Sequence, residues 1–220
     1  MTRHCRRLLI SCSLAITCLA MFPSTAAIAK DRAQSIWNMC GTCHGSEGQG
    51  KEELGAPAIA GLPEWYVSAQ LIKFKNGARA SHPRDIIGLR MRPMARFLTD
   101  EDLPLMAKYV GTSLPMVSPP ETVRGNLVKG ENSYKVCVAC HGADGMGNQQ
   151  LSAPPLVGNS DWYLVRQLKN FKAAIRGGNP AVDPIGASMQ GMAATLADDQ
   201  AIADVVAYIN TLRPAKPAGH

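Results

Sequence analysis

The stretch "CGTCHGSEGQG", Cys40 to Gly50, returns 97 residues later as "CVACHGADGMG", Cys137 to Gly147. Two cysteines three apart, a histidine directly after them and three glycines in the next six residues recur in the same order. The repeat extends to both sides. At the same offset Trp37 meets Tyr134, and "APAIAGLPEWYVSAQLIKFKNGAR" lies over "APPLVGNSDWYLVRQLKNFKAAIR". Identities there include Trp65/Trp162, Tyr66/Tyr163, Gln70/Gln167, Phe74/Phe171 and Arg79/Arg176. One added residue moves the offset to 98, where "MRPMARFL" covers "MQGMAATL", and another moves it to 99, where Tyr109 meets Tyr208. The chain therefore holds two copies of one unit of about 95 residues.

On a helix, cysteines at i and i+3 share one face, and the histidine after them leans to the same side. That geometry lets two thiols add to the two vinyl groups of a haem while the imidazole reaches its iron. Cys-x-x-Cys-His is the attachment signature of c-type haem. The motifs thus nominate Cys40, Cys43, Cys137 and Cys140 for two covalent haems, and His44 and His141 for their irons. Other uses of paired cysteines fit less well. Zinc sites set Cys-x-x-Cys pairs about 15 to 20 residues apart, and a thioredoxin-like motif needs a βαβ setting. A Cys-x-x-Cys disulfide closes too small a loop to staple much. For the second axial position, thioether sulfur is a soft donor that stabilises ferrous iron. Each copy offers two methionines at equal spacing, Met91 and Met94, then Met189 and Met192. His82, in "SHPRD", has Asn179 as its counterpart and reads as a solvated turn residue.

Ahead of the first copy, Arg3, Arg6 and Arg7 precede an apolar run from Leu8 to Phe22, and Ala27 and Ala29 supply the small residues of a signal-peptidase site. Residues 1–29 read as a cleaved export signal, which places the product in the periplasm. The run is shorter than the roughly 20 residues a membrane-spanning helix needs. Removing 29 of the 220 residues leaves 191, takes away Cys5, Cys12 and Cys18, and lowers the basic count from 23 to 20 against 17 acids. The formal charge falls from +6 to +3, which lends no support to a nucleic-acid partner. Every cysteine left lies in a motif, as suits an oxidising compartment. No later apolar run is long enough to span a bilayer, so no transmembrane segment is expected in the processed chain.

Between the copies, "GTSLPMVSPPETVRG" carries three prolines and little helical pattern. The expected division is a first domain over 30–112, a linker over 113–126, a second domain over 127–213 and a tail over 214–220. Apolar spacing near 3.6 predicts helices over 31–43, 64–76 and 99–113, and over 129–140, 160–175 and 198–212. Thr99 and Asp102 form a capping-box pattern, with Pro104 close behind. No alternating run suggests a sheet, so an all-α fold is expected. The glycines after each motif are expected to turn the backbone tightly beside a flat macrocycle. Trp65, Trp162, Tyr66 and Tyr163 are assigned to the core.

These residues resemble a class I cytochrome c written twice, and from about Gln34 to Leu212 the chain is similar to the two-domain dihaem cytochromes c4. The resemblance implies two tandem helical domains, each wrapped around a covalent haem, with an N-terminal helix carrying the motif and a C-terminal helix crossing it. It implies methionine ligation from the loop between, and a carbonyl near Pro57 or Pro154 that accepts a hydrogen bond from the proximal imidazole. In such domains the ligand stands seven residues before the leucine that opens the last helix, Leu98 or Leu196, which selects Met91 and Met189. Irons closed by His and Met leave no open position for peroxide or nitrite, so the implied role is a single-electron carrier and not an enzyme. Its implied route runs from a quinol-oxidising complex to a terminal oxidase or reductase. A cytochrome subunit of a membrane-associated dehydrogenase or oxidase complex is the second reading, and a dihaem peroxidase the third. Lys73, Lys75, Arg79, Arg84, Arg90, Arg92 and Arg96, against Asp85 alone, point to an acidic redox partner or to the haem propionates.

Overall fold

Each motif stands at the end of a helical stretch in the computed structural model, which describes residues 25–114 and 118–213. Helix α1, Thr25–His44, runs straight into the first motif. In the second copy α5, Leu127–Tyr134, stops short of Cys137, and a single turn, α6, Val138–His141, carries the histidine. The helix expected over 129–140 is thus broken at 135–137. Gly130, Asn132 and Ser133 are weak helix formers, and they leave α5 little propensity of its own.

The next helix lies where its pattern put it: α2 spans Glu64–Asn76 and ends on Gly77 in the left-handed region, and α7 spans Asp161–Lys172. Two further helices were not expected. Helix α3, Ile86–Phe97, and helix α8, Pro184–Ala194, occupy the stretch read as a loop, so Met91 and Met189 sit on helices. Each is capped by an aspartate: Asp85 accepts from the Gly88 amide at 3.0 Å and Asp183 from the Gly186 amide at 2.9 Å. These caps, with packing of α3 on α2 and of α8 on α7, override the breakers Pro93, Gly186 and Gly191.

The last helix of the first domain is α4, Asp102–Lys108, prolonged by a π-helical turn over Tyr109–Ser113; that of the second is α9, Asp199–Thr211. Thr99 and Asp102 exchange their capping bonds, at 3.0 and 3.3 Å, and Pro104 falls in the first turn, where a missing N–H costs nothing. Asp102 is also gripped by both forks of Arg32 at 2.6 and 2.8 Å, which ties α1 to α4. In the second copy Asp198 alone caps α9, accepting from Ala201.

The two cores use the same positions. Trp37, Val67, Leu98, Leu103, Met106 and Val110 are buried in the first, and their counterparts Tyr134, Leu164, Leu196, Ile202, Val205 and Ile209 in the second. Where the terminal helices cross, the copies differ. Gly130 of α5 lies so close to α9 that an added Cβ would fall on the Asp204 carbonyl oxygen; the first copy has Ala33 there. No strand is present among the described residues, only the isolated bridges Lys51–Ala56 and Asn148–Ala153.

Residues 118–126 have no helix and lie along the second domain. Buried Asp161 accepts from the Thr122 and Val123 amides at 2.6 and 2.8 Å, Asp204 accepts from Asn126 at 2.7 Å, and Arg213 donates to the Pro119 carbonyl at 2.8 Å. Residues 1–24 of the expected signal, 115–117 of the linker and the tail 214–220 lie outside the described residues; 25–29 open α1. No helix among the described residues is long and apolar enough to cross a membrane.

Candidate functional site

The two histidines are prepared in the same way. His44 and His141 are 6% and 4% exposed, and each places Nδ1 2.8 Å from a proline carbonyl, that of Pro57 and that of Pro154. A carbonyl oxygen only accepts, so Nδ1 carries the proton and Nε2 keeps its lone pair. Burial pulls both imidazoles below their ordinary pKa and outweighs the carbonyl bond that favours the cation. Each ring is thus neutral, oriented and free to bind a metal through Nε2.

The glycine loop explains how the carbonyl comes to stand there. Gly50 and Gly147 donate back to the carbonyls of His44 and His141 at 2.7 and 2.8 Å. The bridges Lys51–Ala56 and Asn148–Ala153 then turn the chain so that the next residue is the proline. Both glycines have positive φ, 84° and 79°. A Cβ on Gly50 would lie 2.5 Å from the Ala58 nitrogen, and one on Gly147 2.5 Å from the Ala153 oxygen. What demands glycine here is the chain's approach to itself, where the sequence had suggested the macrocycle. The aromatic residue before each motif pins the loop: Trp37 donates to the Ser46 carbonyl at 2.9 Å and Tyr134 to that of Gly142 at 2.8 Å.

No disulfide joins the four motif cysteines; Cys40 and Cys137 are half-buried, Cys43 and Cys140 exposed. Before a haem is attached, burial raises the Cys40 thiol and pushes that of Cys137 up to about 11, so both are protonated at neutral pH in the unloaded chain. Among the described residues no group of three or more His, Cys, Asp or Glu side chains could hold a metal ion.

Met91 is partly buried against Phe74, Ala80 and Ala95. Met189 is partly buried too, whereas Met192, one turn further along α8, is 44% exposed. His82 stays in its turn, its Nδ1 accepting from the Arg84 amide at 3.1 Å. The residues also fit a haem in one further respect: the Nε atoms of Arg79, Arg92 and Arg176 are buried without a partner, as donors awaiting an anion.

The basic run of the first copy is divided. Lys73 pairs with Asp183 of the other domain and Lys75 with Asp100, both at 2.7 Å, while Arg79 is buried between the domains. Arg84, Arg90 and Arg96 remain at the surface. Tyr66 and Tyr163, assigned to the core from sequence, instead meet Arg176 and Arg79 where the domains touch. A signal for this was present: Tyr, Gln, Phe and Arg recur at 66, 70, 74 and 79 and again 97 residues on.

Comparison with known proteins agrees with this architecture. The cytochrome c family model matches residues 31–113 and again residues 127–213. A thiosulfate dehydrogenase electron acceptor of Stutzerimonas stutzeri (strain A1501) is 32% identical over 183 residues, 77% of this chain and 78% of that protein. The reduced recombinant cytochrome c4 from Pseudomonas stutzeri superimposes with a TM-score of 0.63 at 28% identity, over 83% of this chain and 98% of that one. Thiosulfate dehydrogenase (TsdBA) from Marichromatium purpuratum gives 0.62 at 27% identity; 82% of this chain is covered but only 40% of that one. Two matched domains, each with its Cys-x-x-Cys-His motif, imply two covalent haem c groups. The chain belongs to the cytochrome c family, as a two-domain, dihaem electron-transfer member of the cytochrome c4 type.

Proposed function

We propose that this protein is a periplasmic single-electron carrier and not a catalyst, exported by a cleaved signal over residues 1–29. Its domains are taken as 30–112 and 127–213, joined by 113–126 and followed by a tail. Cys40 and Cys43 hold one haem and Cys137 and Cys140 the other, with His44 and Met91, and His141 and Met189, as the axial pairs. The observation that carries this is the duplicated imidazole: buried, neutral, with Nδ1 fixed by a carbonyl so that Nε2 keeps its lone pair, on the residue directly after the motif cysteines. When bound, each haem supplies a one-electron couple whose potential rises with a thioether ligand.

The chain's own residues set the conditions for that couple. The Pro57 and Pro154 carbonyls hold ring orientation and raise ligand basicity. Met91 and Met189 lie on helices capped by Asp85 and Asp183, a placement that supports them as the residues that would complete the iron's ligands and so keep small molecules from it. The route from a quinol-oxidising complex to a terminal oxidase or reductase is the leading physiological reading. A thiosulfate-oxidising dehydrogenase as donor is the second, favoured by the 32% identity to a thiosulfate dehydrogenase electron acceptor. Mixing the pure reduced protein with each class of acceptor, and the oxidised protein with each donor, in stopped flow separates the two. Two haems per chain by pyridine haemochrome, and no spectral change with peroxide, are the expected baseline; one haem or a peroxide adduct overturns the carrier reading.

A further inference from the structure

The helices that carry Met91 and Met189 differ in charge. Helix α3 has Arg90, Arg92 and Arg96, whereas α8 has no charged residue. Arg90 and Arg96 are exposed, but Arg92, the residue directly after Met91, is partly buried. Its guanidinium turns onto Gly77, which closes α2 with φ 84°. A Cβ on Gly77 would lie 2.8 Å from a terminal nitrogen of Arg92 and 3.2 Å from its Cζ, so the seat exists because residue 77 is glycine. Met91 packs against Phe74 and Ala80, three residues to either side of Gly77, which sets the thioether and the cation against the same turn.

The second copy supplies an internal control. At the offsets of the repeat, Ala174 stands in place of Gly77 and Gln190 in place of Arg92. Ala174 keeps the left-handed backbone, φ 55°, and brings the Cβ that would fill an arginine's seat. The exchange is therefore paired, glycine with arginine in one domain and alanine with glutamine in the other. Arg79 and Arg176 make no such difference, since each donates to both Gln70 and Gln167 where the domains touch. Among the described residues Arg92 has no ion pair or hydrogen bond, and its Nε is buried without a partner. What lies beside it is the carbonyl end of α2, which amounts to about half an elementary charge. A cation held partly out of water favours ferrous over ferric iron nearby, because reduction removes a positive charge that it repels, and burial preserves what solvent would screen.

We propose that Arg92, seated by Gly77, raises the potential of the first haem alone and so sets the spacing between the chain's two redox couples. The inference rests on the dihaem, Met91-ligated reading above and goes further, because it assigns a tuning role to a residue that is neither an attachment point nor a ligand.

The test uses the full-length holo-protein. Two haems per chain by pyridine haemochrome, and loss of one methionine-to-iron absorption in Met91→Ala, check the underlying reading separately. A failure there defeats that reading and this inference with it, whereas unmoved midpoints in a protein that passes both defeat this inference alone. Redox titration gives the midpoints, and paramagnetic NMR of the haem methyl resonances assigns each to its domain. Arg92→Gln, which copies the second domain, is expected to lower the first midpoint by about a three- to tenfold change in the reduction equilibrium, tenfold being about 59 mV for one electron, and to leave the second in place. Arg92→Lys restores most of the first midpoint. Arg96→Gln, four residues on and exposed, does not move it. The reverse exchange, Ala174→Gly with Gln190→Arg, raises the second midpoint by a comparable factor, and it decides the matter should Arg92→Gln fail to mature. If Arg92 serves only the carbonyl end of α2, Arg92→Gln lowers the melting temperature with both midpoints unchanged, and that result overturns the proposal. An equal shift of both midpoints, or a shift that Arg92→Lys does not reverse, overturns it too.

Discussion

Met189 and Met192 share a helix but not an environment, and the difference predicts which one matters. Met189→Ala should abolish the methionine-to-iron absorption of one haem, about half the total, and lower that haem's potential. Met192→Ala, at a site already 44% exposed, should change neither; a redox titration with near-infrared spectra checks both. At this scale the chemistry was legible because covalent attachment demands a fixed spacing of Cys40, Cys43 and His44, and of their counterparts. The proline carbonyls followed from the family likeness. The roles of Gly50 and Gly147 were not legible, since what each backbone meets is its own chain some residues later. For Tyr66 and Arg79 the repeat marks the residues, but nothing in a linear sequence says that the two copies turn them toward each other.

Helix crossing sets the strength of each domain. At Gly130 the chain has no side chain to keep α5 off α9, and the Asp204 carbonyl occupies the space a Cβ would need. Gly130→Ala should therefore push the helices apart and cost about 1–3 kcal/mol, seen as an earlier second-domain transition in guanidinium titration of the holo-protein. The helix carrying Met91 has a surface role as well. Ile86 and Phe97 are 66% and 67% exposed on the face opposite Met91, with Arg90 and Arg96 beside them. Reversing both charges, Arg90→Glu with Arg96→Glu, should slow association with an acidic redox protein about tenfold at low ionic strength and flatten its salt dependence. An unchanged rate removes this face from the docking route. Helices α2 and α7 could be read from their apolar spacing, while α3 and α8 could not. Their glycines and Pro93 look like breakers, and the Asp85 and Asp183 caps that start them count only once packing on α2 and α7 is known.

For the molecule as a whole, three carboxylates that fasten its parts, Asp161, Asp183 and Asp204, sit below their ordinary range. Burial pushes Asp161 up, but the Val123 and Thr122 donors and Asn210 outweigh it. Asp183 is likewise lowered, against burial, by Lys73 and the Gly186 amide, and Asp204 by the Asn126 amide. Folded-state values below the unfolded ones mean stability that is complete above about pH 5, declines as pH falls through about 4, and is gone below the folded values. The holo-protein's melting temperature should follow that course, and Asp161→Asn should flatten it while costing about 3 kcal/mol at neutral pH. A pH-independent melting temperature between about pH 6 and pH 3 would falsify this. That Asp161 and Asp204 hold residues 122–126 was beyond reach of the sequence, where the proline-rich segment reads as loose.

The reciprocal pairing of Arg79 with Gln167 and of Arg176 with Gln70 is what a two-fold homodimer displays, residue i on j and j on i. Here both partners are strung on one polypeptide, so their encounter is governed by the tether and not by how many molecules share the compartment. Dilution that would dissociate a pair of separate subunits leaves these domains together.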